Sequence, residues 1–204
     1  MLAGNTDLGR VQPRIARAVL PVATYVAVTA KLGPRLAEVL RWTGAISDTR
    51  RAGDYYRIVD DDRLLWGGRI TTDTREPARL RAMMRADILS VYPQLGDIGI
   101  EYAWPGIMGY ALHKMPQVGE IEPGLWVCSA FGGHGLAQTA AGADAVAAGI
   151  LGENDRWTLF RPFGTGWAGG PLGRITTQLV YWGLQANDWW DEKRQAENAE
   201  KLRT

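Results

Sequence analysis

Cysteine and histidine are nearly absent from this chain of 204 residues: Cys128 is its single cysteine, and His113 and His134 are its two histidines. A single cysteine excludes a disulfide within the chain and indicates a reducing compartment, so we expect a cytoplasmic protein. Two histidines and one cysteine at these positions do not form the spacing of a metal site, so we expect no bound metal.

An excess of one charge and a long apolar run are also missing. The chain has 23 basic and 22 acidic residues, a formal net charge of +1, so we expect no nucleic-acid partner. The longest apolar stretch, Val19 to Ala30, contains Pro21 and is too short for a transmembrane helix. Asp7, Arg14 and other charged residues interrupt the apolar core that an N-terminal signal peptide needs. We therefore expect neither a transmembrane segment nor a signal peptide.

The segments up to Gly106 predict an antiparallel sheet with helices on one face. The β-branched stretch "LPVATYVAVTA" predicts a strand, and "GPRLAEVLRW" predicts a short helix with Pro34 in its first turn. The segment "DYYRIVDDDRLLWGGRI" predicts a hairpin that turns at Asp60 to Asp62, with Tyr55 and Arg57 on one face and Tyr56 on the other. The segment "EPARLRAMMRADILSVYP" predicts an amphipathic helix, and "DIGIEYAWPG" predicts another strand.

The region after Gly124 has a different character. The run "GLWVCSAF" is continuously apolar, which is typical of a strand in a parallel sheet that is covered on both faces. A glycine turn, Gly132 to Gly135, and an alanine-rich helix follow. Beyond Gly152 we expect a loop, and from about Gly173 a last helix whose charged end frays.

A strand, a glycine turn and a helix in that order present free backbone N–H groups to a ligand. The helix dipole adds partial positive charge at the same place, which suits a phosphate or an anion that forms during a reaction, such as a flavin ring that has accepted electrons. Small residues such as Ala137 and Ala140 would let the helix lie close to a sheet or a ring. The alternative is a tight packing turn that binds no ligand, and the residues alone leave both open.

A second glycine-rich segment, Gly164 to Gly169, matches Gly-x-Gly-x-x-Gly formally. A dinucleotide-binding loop needs a strand before the glycines, a helix after them, and a second strand that ends in an acidic residue about 20 positions on. Pro162 interrupts the approach, and Asp188 falls in a helical pattern instead of at the end of a strand. We interpret this segment as an irregular loop.

Four segments in series resemble one known family. The stretch "PGLWVCSAFGGHGLAQTAAGADAVAAGI" resembles the C-terminal flavin-contacting segment of the FAD-dependent oxidoreductases of the D-amino-acid oxidase type, with its strand, Gly-[Gly/Ser]-His-Gly turn and small-residue helix. The run "YAWPGIMGYALHKMPQVGEI" is similar to the part just before it, where a Trp-x-Gly motif leads to an Asp-x-x-Pro-x-[Ile/Val]-Gly motif. The start, "LAGNTDLG", resembles the end of the last strand of the family's FAD domain. The stretch "LFRPFGTGWAGGPLGR" is similar to the C-terminus of members near the gamma-glutamylputrescine oxidases.

The resemblance covers nearly the whole chain and implies its fold. We expect an α+β / α/β architecture, the C-terminal half of a two-domain FAD oxidoreductase, with an antiparallel-sheet substrate domain plus the closing strand and helix of the FAD domain. The implied segments are the end of the last strand region of the FAD domain (1–9), the substrate-binding sheet domain (10–108), the flavin-contacting part (109–152) and a C-terminal loop and helix extension (153–204). The family's N-terminal Gly-x-Gly-x-x-Gly turn, which binds the ADP half of FAD, has no counterpart here, and His113 replaces the Asp of the Asp-x-x-Pro motif.

The resemblance also implies a reaction, the oxidation of the C–N bond of an amine or an amino-acid-like substrate such as a gamma-glutamylputrescine-like compound, with FAD as cofactor. The residues that would line the pyrimidine edge of the flavin are Gly132, Gly133, His134, Gly135 and Leu136. His134 is either a catalytic residue or a hydrogen bonder at the helix start. Lys114 either assists the reaction with oxygen near the ring or is solvated.

The substrate-binding candidates on the antiparallel sheet are Tyr55, Tyr56, Arg57 and Trp104. Arg57 either clamps a carboxylate, or it pairs with the turn at Asp60 to Asp62 or with solvent. Trp104 either contacts substrate or belongs to the core. We interpret His113 as structural.

Three hypotheses about function remain open from the sequence. The first is a FAD-dependent oxidoreductase, the second an inactive remnant that acts as a binding module, and the third a subunit that binds FAD only with a partner chain that supplies the ADP-binding domain. On the last helix, Trp182 and Trp189 would share a face, which indicates packing within the protein, docking on the missing half of the flavoprotein, an oligomer contact or a membrane interface.

Overall fold

The structure is a computed structural model that describes residues 1–9, 11–51 and 53–201. The chain forms two compact units, each of two segments. Unit 1 comprises Met1–Val22 and Ile107–Thr177, and unit 2 comprises Ala23–Gly106 and Gln178–Thr204.

The described residues form seven strands and five α-helices. The strands are β1 (Leu20–Thr29), β2 (Ile46–Ser47), β3 (Tyr55–Val59), β4 (Arg63–Thr71), β5 (Ile100–Tyr110), β6 (Gln117–Glu122) and β7 (Leu125–Ser129). The α-helices are α1 (Pro13–Ala16), α2 (Pro34–Val39), α3 (Leu80–Val91), α4 (Gly135–Leu151) and α5 (Gly170–Lys201). Short 3-10 helices cover Asn5–Leu8, Pro93–Leu95, Gly132–His134 and Arg156–Phe163.

Unit 2 is built on a five-stranded sheet with the strand order β2-β3-β4-β1-β5. The pairs β2/β3, β3/β4 and β1/β4 are antiparallel, as the sequence predicts. The hairpin of β3 and β4 places Tyr55 opposite Gly67 and Arg57 opposite Leu65, and it turns at Asp60 to Asp62. The predicted hairpin is therefore confirmed, including its turn.

The core of unit 2 lies on one face of this sheet. Tyr56 and Trp66 stack there with ring centroids 4.2 Å apart, and the Tyr92 ring meets both edge-on. The α3 residues that complete this cluster are Leu80, Met84 and Ile88, each at most 4% exposed. Their spacing of four residues puts them on one side of the helix, which explains why α3 covers this face.

Unit 1 contains the two-stranded antiparallel sheet of β6 and β7 and the helix α4 that packs on it. A side chain at Gly142 of α4 would meet the Phe131 ring at 2.9 Å, and one at Gly149 would meet the Trp157 ring at 2.6 Å. These two glycines of the alanine-rich helix are therefore required by its close packing.

The sequence interpretation of β7 as a strand in a parallel sheet needs correction. Among the described residues its extended partner is the antiparallel strand β6, and its parallel pairing is a single bridge between Leu2 and Val127. Strand β6 was not predicted, because Pro116 and Gly119 disrupt its hydrophobic pattern.

Three other elements differ from the prediction in length. Strand β5 continues through Pro105 to Tyr110, and the expected loop after Gly152 contains the 3-10 helix Arg156–Phe163. Helix α5 starts at Gly170 and stays helical to Lys201, and the last three residues of the tail predicted to fray lie outside the described residues. Because a 3-10 helix and not a strand precedes Gly164, the segment Gly164 to Gly169 lacks the surroundings of a dinucleotide loop.

None of the helices within residues 1–9, 11–51 and 53–201 combines the length and the apolar character that crossing a membrane requires. Whether the two compact units correspond to the functional segments 1–9, 10–108, 109–152 and 153–204 stays a prediction.

Candidate functional site

The glycine turn of unit 1 is a strained connection between β7 and α4. Ala130 has φ of 60° and is 2% exposed, and Gly132 also has φ of 60°. A Cβ atom at Gly132 would lie 2.5 Å from the Tyr110 ring. Backbone conformation and space therefore both require glycine at position 132.

Helix α4 begins immediately after this turn without a side-chain cap. His134 occupies the N-cap position, and its ring makes no capping hydrogen bond. Gly135 has open space where its Cβ would be, and Leu136 is 96% exposed. Among the described residues, the donor groups at the start of this 17-residue helix thus meet no capping side chain.

These features fit the anionic pyrimidine edge of a flavin. Backbone N–H groups and the positive end of the helix dipole attract negative charge, and the glycines let a flat ring lie close to the backbone. The residues that the sequence assigns to the flavin edge are brought together by the structure in one continuous, accessible turn: Gly132, Gly133, His134, Gly135 and Leu136.

Tyr110 is a further residue of this turn that sequence reasoning missed. It forms a β-bridge with Phe131, its ring lies against Gly132, and a Cβ at Gly133 would be 3.1 Å from its hydroxyl oxygen. The phenol therefore lies directly beside the turn, within reach of a group bound there. The available signal was weak, because "MGYA" reads only as the end of a strand.

Lys114 and His113 lie in the loop between β5 and β6 of unit 1. Lys114 is exposed with φ of 61°, and no ion pair to it exists among the described residues. The Nδ1 atom of His113 accepts a hydrogen bond from the backbone N–H of Met115 at 3.2 Å. An aspartate commonly makes this same contact two residues ahead in a turn, so His113 can replace the Asp of the family motif structurally.

Unit 2 presents the other candidates on the face of its sheet opposite the core. Tyr55 (42% exposed) and Arg57 alternate with the buried Tyr56 along β3, and the Tyr55 ring lies over Gly67 of β4. Trp104 is 43% exposed, while its neighbour Ala103 packs against the core. This open face therefore presents aromatic rings and one guanidinium to its surroundings.

Tyr102 belongs to the same face and was also missed from the sequence. It precedes Trp104 by two residues on β5, so both side chains point to the side away from Ala103. Tyr102 is 55% exposed. The alternation in "EYAW" is the signal that would have identified it.

Arg57 has no carboxylate partner in the described part of the chain. Its Nε donates only to the carbonyl oxygen of Ile58, at 3.5 Å, whereas Arg63 pairs with Asp60 of the turn. The structure therefore does not show Arg57 paired with the turn at Asp60 to Asp62. The guanidinium remains available to an external anion.

Tyr56, by contrast, lies in the core. It is 9% exposed, it stacks on Trp66, and its hydroxyl accepts a hydrogen bond from the Tyr92 hydroxyl at 3.1 Å. Burial raises the pKa of the Tyr56 phenol well above its usual value, and the contact with Tyr92 adds to this shift. The Tyr56 side chain therefore packs in the core and does not lie on the open face.

The antiparallel sheet and the glycine turn are the features expected of the flavin-dependent oxidoreductases that the sequence resembles. Residues 2–149 match the family model described as DAO, FAD dependent oxidoreductase, and the chain belongs to this family.

The curated relatives that match are about two to three times longer than the region of similarity. Gamma-glutamylputrescine oxidoreductase of Escherichia coli (strain K12) is 30% identical over 162 residues, which are 78% of this chain and 38% of the relative. The probable oxidoreductase OrdL of Haemophilus influenzae is 33% identical over 147 residues, 72% of this chain and 33% of the relative. The chain thus spans less than two fifths of the length of either relative.

Solved structures agree on the fold. Glycine oxidase from Geobacillus kaustophilus aligns with a TM-score of 0.60 at 19% identity, covering 79% of this chain and 42% of that chain. L-proline dehydrogenase from P. horikoshii aligns with a TM-score of 0.59 at 15% identity, covering 78% of this chain and 44% of that one. The predicted fold class is therefore confirmed.

Proposed function

We propose that this chain contributes to the FAD-dependent oxidation of the C–N bond of an amine or an amino-acid-like substrate. The observation that supports this most strongly is the uncapped, exposed N-terminus of α4 behind the turn Gly132–His134. FAD, when bound, would supply the redox chemistry by accepting a hydride, which is two electrons and one proton, from the carbon that bears the amine. The protein's part is to bind, orient and stabilise charge.

At the turn, backbone N–H groups stabilise negative charge on the flavin edge. The donors proposed are those of Gly133, Gly135 and Leu136, at the positive end of the α4 dipole. His134 is proposed as a catalytic residue of the same turn, because its exposed ring makes no capping bond. Lys114 is proposed as the cation that favours the reaction with oxygen, since it is exposed and unpaired in the described residues.

On the open face of the unit 2 sheet, Arg57 is proposed to bind the substrate carboxylate, because its guanidinium has no carboxylate partner among the described residues. Tyr55 and Trp104 would pack on the apolar part of the substrate and exclude water. Tyr56, the fourth candidate, would act by holding β3 in place. The similarity to gamma-glutamylputrescine oxidoreductase supports a substrate of that amine class.

We further propose that the ADP half of FAD is held by residues other than these 204, either in a longer form of the protein or in a partner chain. This is consistent with the short span of the chain relative to the curated relatives. The chain alone would then bind FAD weakly, through the ring only.

The test is a titration of the purified chain with FAD, followed by the visible absorption band and by quenching of flavin fluorescence. The Gly135→Val variant should lose binding at least about tenfold, because the new side chain projects into space that is open in the fold and would be occupied by the ring. The matched control is Gly166→Val, which also meets open space but lies in the glycine segment rejected as a nucleotide loop, and it should bind FAD as the parent does.

Equal loss in both variants, or in neither, would remove the turn from the flavin site. If no flavin signal arises even when the N-terminal portion of a relative is added, the hypothesis of an inactive remnant or binding module replaces the proposal.

A further inference from the structure

Unit 2 contains a cavity of about 510 Å³ that is lined by strands β1 and β4, helix α3 and the part of α5 that belongs to this unit. Small-molecule sites in proteins commonly have volumes of about 300–1,000 Å³. The cavity combines polar, charged and apolar side chains, among them Tyr25, Arg69, Glu76, Met83, Gln178 and Trp182. None of these residues belongs to the glycine turn or to the candidates on the open face of the sheet.

Tyr25 brings a buried hydroxyl without a partner to this cavity. The residue is 4% exposed and lines the cavity, yet its hydroxyl makes no hydrogen bond within the described residues. Buried polar groups normally have such a partner. Burial and the nearby Asp73 carboxylate raise the pKa of the Tyr25 phenol, and Arg69 opposes the shift. At neutral pH the phenol is therefore a hydrogen-bond donor that lacks an acceptor.

Strand β4 is distorted where it brings Arg69 to the same cavity. The register between β1 and β4 shifts at Thr24 and Tyr25, which leaves Arg69 as an extra residue in a β-bulge. Its φ is 53°, a conformation that is unfavourable for a residue with a Cβ atom. Regular alternation would place Arg69 on the open face with Gly67, whereas the bulge turns its side chain to Asp87 of α3.

Two further side chains offer donor groups that the fold does not use. The Nε and Nη2 atoms of Arg69 donate to Asp87 at 2.6 and 2.8 Å, and Nη1 has no partner in the described part of the chain. The Oε1 atom of Gln178 accepts hydrogen bonds from Thr71 and Thr72, which leaves its amide N–H groups without an acceptor among the same residues. Together with the phenol, these donors suit a carboxylate.

The rest of the lining suits an ammonium group and an apolar side chain. Glu76 is exposed and forms no ion pair within the described residues. Trp182 and Met83 provide an aromatic and an apolar surface. The charged residues of the lining balance, with two basic and two acidic side chains, so a ligand without net charge fits best: Arg69, Arg75, Asp73 and Glu76.

We propose that this cavity binds a free α-amino acid with an aromatic side chain. Its carboxylate would accept hydrogen bonds from Tyr25 and Arg69, and its ammonium group would lie beside Glu76. Its ring would pack on Trp182. The site is separate from the substrate site proposed on the open face, because the bulge turns Arg69 to the side of the sheet that α3 covers.

The test is isothermal titration calorimetry of the full chain with L-phenylalanine, 3-phenylpropionate and 2-phenylethylamine. The two analogues each lack one charged group of the amino acid, so L-phenylalanine should bind about tenfold more tightly than either. Tyr25→Phe should weaken L-phenylalanine binding about tenfold and leave the thermal unfolding temperature unchanged, because the hydroxyl has no partner in the fold. The matched control is Tyr102→Phe, which removes a hydroxyl from the open face and should bind as the parent does.

A second variant tests the ammonium contact. Glu76→Gln should weaken L-phenylalanine and 2-phenylethylamine about threefold and leave 3-phenylpropionate unchanged, since an exposed ion pair contributes little. Absence of binding by the parent at about 10 mM, equal affinity for the three compounds, or equal losses in Tyr25→Phe and Tyr102→Phe would each overturn the proposal. So would binding that is lost in Arg57→Met and kept in Tyr25→Phe, which would assign the amino acid to the open face.

Discussion

At the scale of single residues, the turn before α4 depends on glycine at one position more than at its neighbours. Gly132→Ala would combine a left-handed φ of 60° with a Cβ 2.5 Å from the Tyr110 ring. We expect a loss of about 2–4 kcal/mol in the free energy of unfolding, measured by urea denaturation.

The control for this prediction is Gly135→Ala, in the first turn of the same helix. Its φ is −57°, and nothing lies within 4 Å of the new Cβ, so the free energy of unfolding should change by less than about 1 kcal/mol. Similar losses of unfolding free energy in both variants would contradict the assignment of the loss to strain at Gly132.

Cys128 gives a prediction that depends on pH. The thiol is 8% exposed, and burial raises its pKa above the usual value. Because the folded state then favours the protonated thiol, its contribution to stability is fully present below the unfolded pKa of about 8.5 and is lost as pH rises through the higher folded pKa. Between pH 7 and 10, Ellman's reagent should label Cys128 at least about a hundredfold more slowly in the folded than in the unfolded chain. Equal rates would contradict the burial.

Alternation along β3 shows what the sequence can and cannot predict about a residue. It correctly separates Tyr55 and Arg57 from Tyr56, since neighbouring side chains on a strand point to opposite faces. It cannot say which face is buried, because that depends on where α3 packs, and so Tyr56 was grouped with the substrate candidates. Tyr110 was missed for a similar reason: its contact with Gly132 joins residues 22 positions apart.

At the scale of elements, the β3–β4 hairpin can be stabilised at its turn. In the three-residue loop between Val59 and Arg63, Asp60 and Asp61 both have positive φ, 48° and 63°, a conformation that favours glycine. Asp61→Gly should raise the free energy of unfolding by about 0.5–1 kcal/mol, since glycine adopts this conformation without steric cost. Asp61→Ala should lower it, because alanine has the same steric cost without the local hydrogen bonding of aspartate. Thermal unfolding of the two variants tests this prediction. A change in unfolding free energy of the same sign in both variants would contradict it.

The segment before β3 is held by an ionic cluster centred on Arg50. Its guanidinium contacts Asp48 and, at 2.5 Å, Asp54, which is 8% exposed. Burial raises the pKa of Asp54, and Arg50 opposes that shift. Because Arg50 is 33% exposed, solvent screening limits the expected loss in Arg50→Met to about 1–3 kcal/mol at pH 7.

The pH dependence of that variant has a defined sign. Without Arg50 the folded pKa of Asp54 rises further, so the penalty is present while the carboxyl is ionised and fades as pH falls through the raised value. Urea denaturation at pH 7 and pH 4.5 should therefore show a smaller difference between variant and parent at the lower pH. A larger difference at pH 4.5 would contradict the assignment to Asp54.

Elements with a strong periodic pattern were predicted well, and those with an interrupted pattern were not. The stripe of Leu80, Met84 and Ile88 identifies α3, and the β-branched run identifies β1. Strand β6 was missed because Gly119 has φ of 130°, and the neighbouring sequence does not predict this conformation. Strand β6 nonetheless supports the glycine turn, because it pairs with β7 directly before that turn.

At the scale of the whole molecule, family membership could be predicted because four motifs occur in series along the chain. The resemblance predicts that the turn Gly132–His134 contacts the flavin, whereas physics alone leaves a packing turn as an equal alternative. The structure divides the small residues of this region into two groups. Gly142 and Gly149 are explained by packing on Phe131 and Trp157, but Gly135 is explained by no contact within the described chain.

The central claim is that backbone groups of residues 132–136 contact the flavin ring, and amide chemical shifts test it most directly. Lumiflavin, which carries the ring without the ADP half, would be added at about 1 mM to the ¹⁵N-labelled chain, so that even weak binding is detected. The account predicts shifts centred on the amides of Gly133 to Leu136, with smaller effects elsewhere. Unchanged amides at these positions, or shifts confined to other parts of the chain, would contradict it.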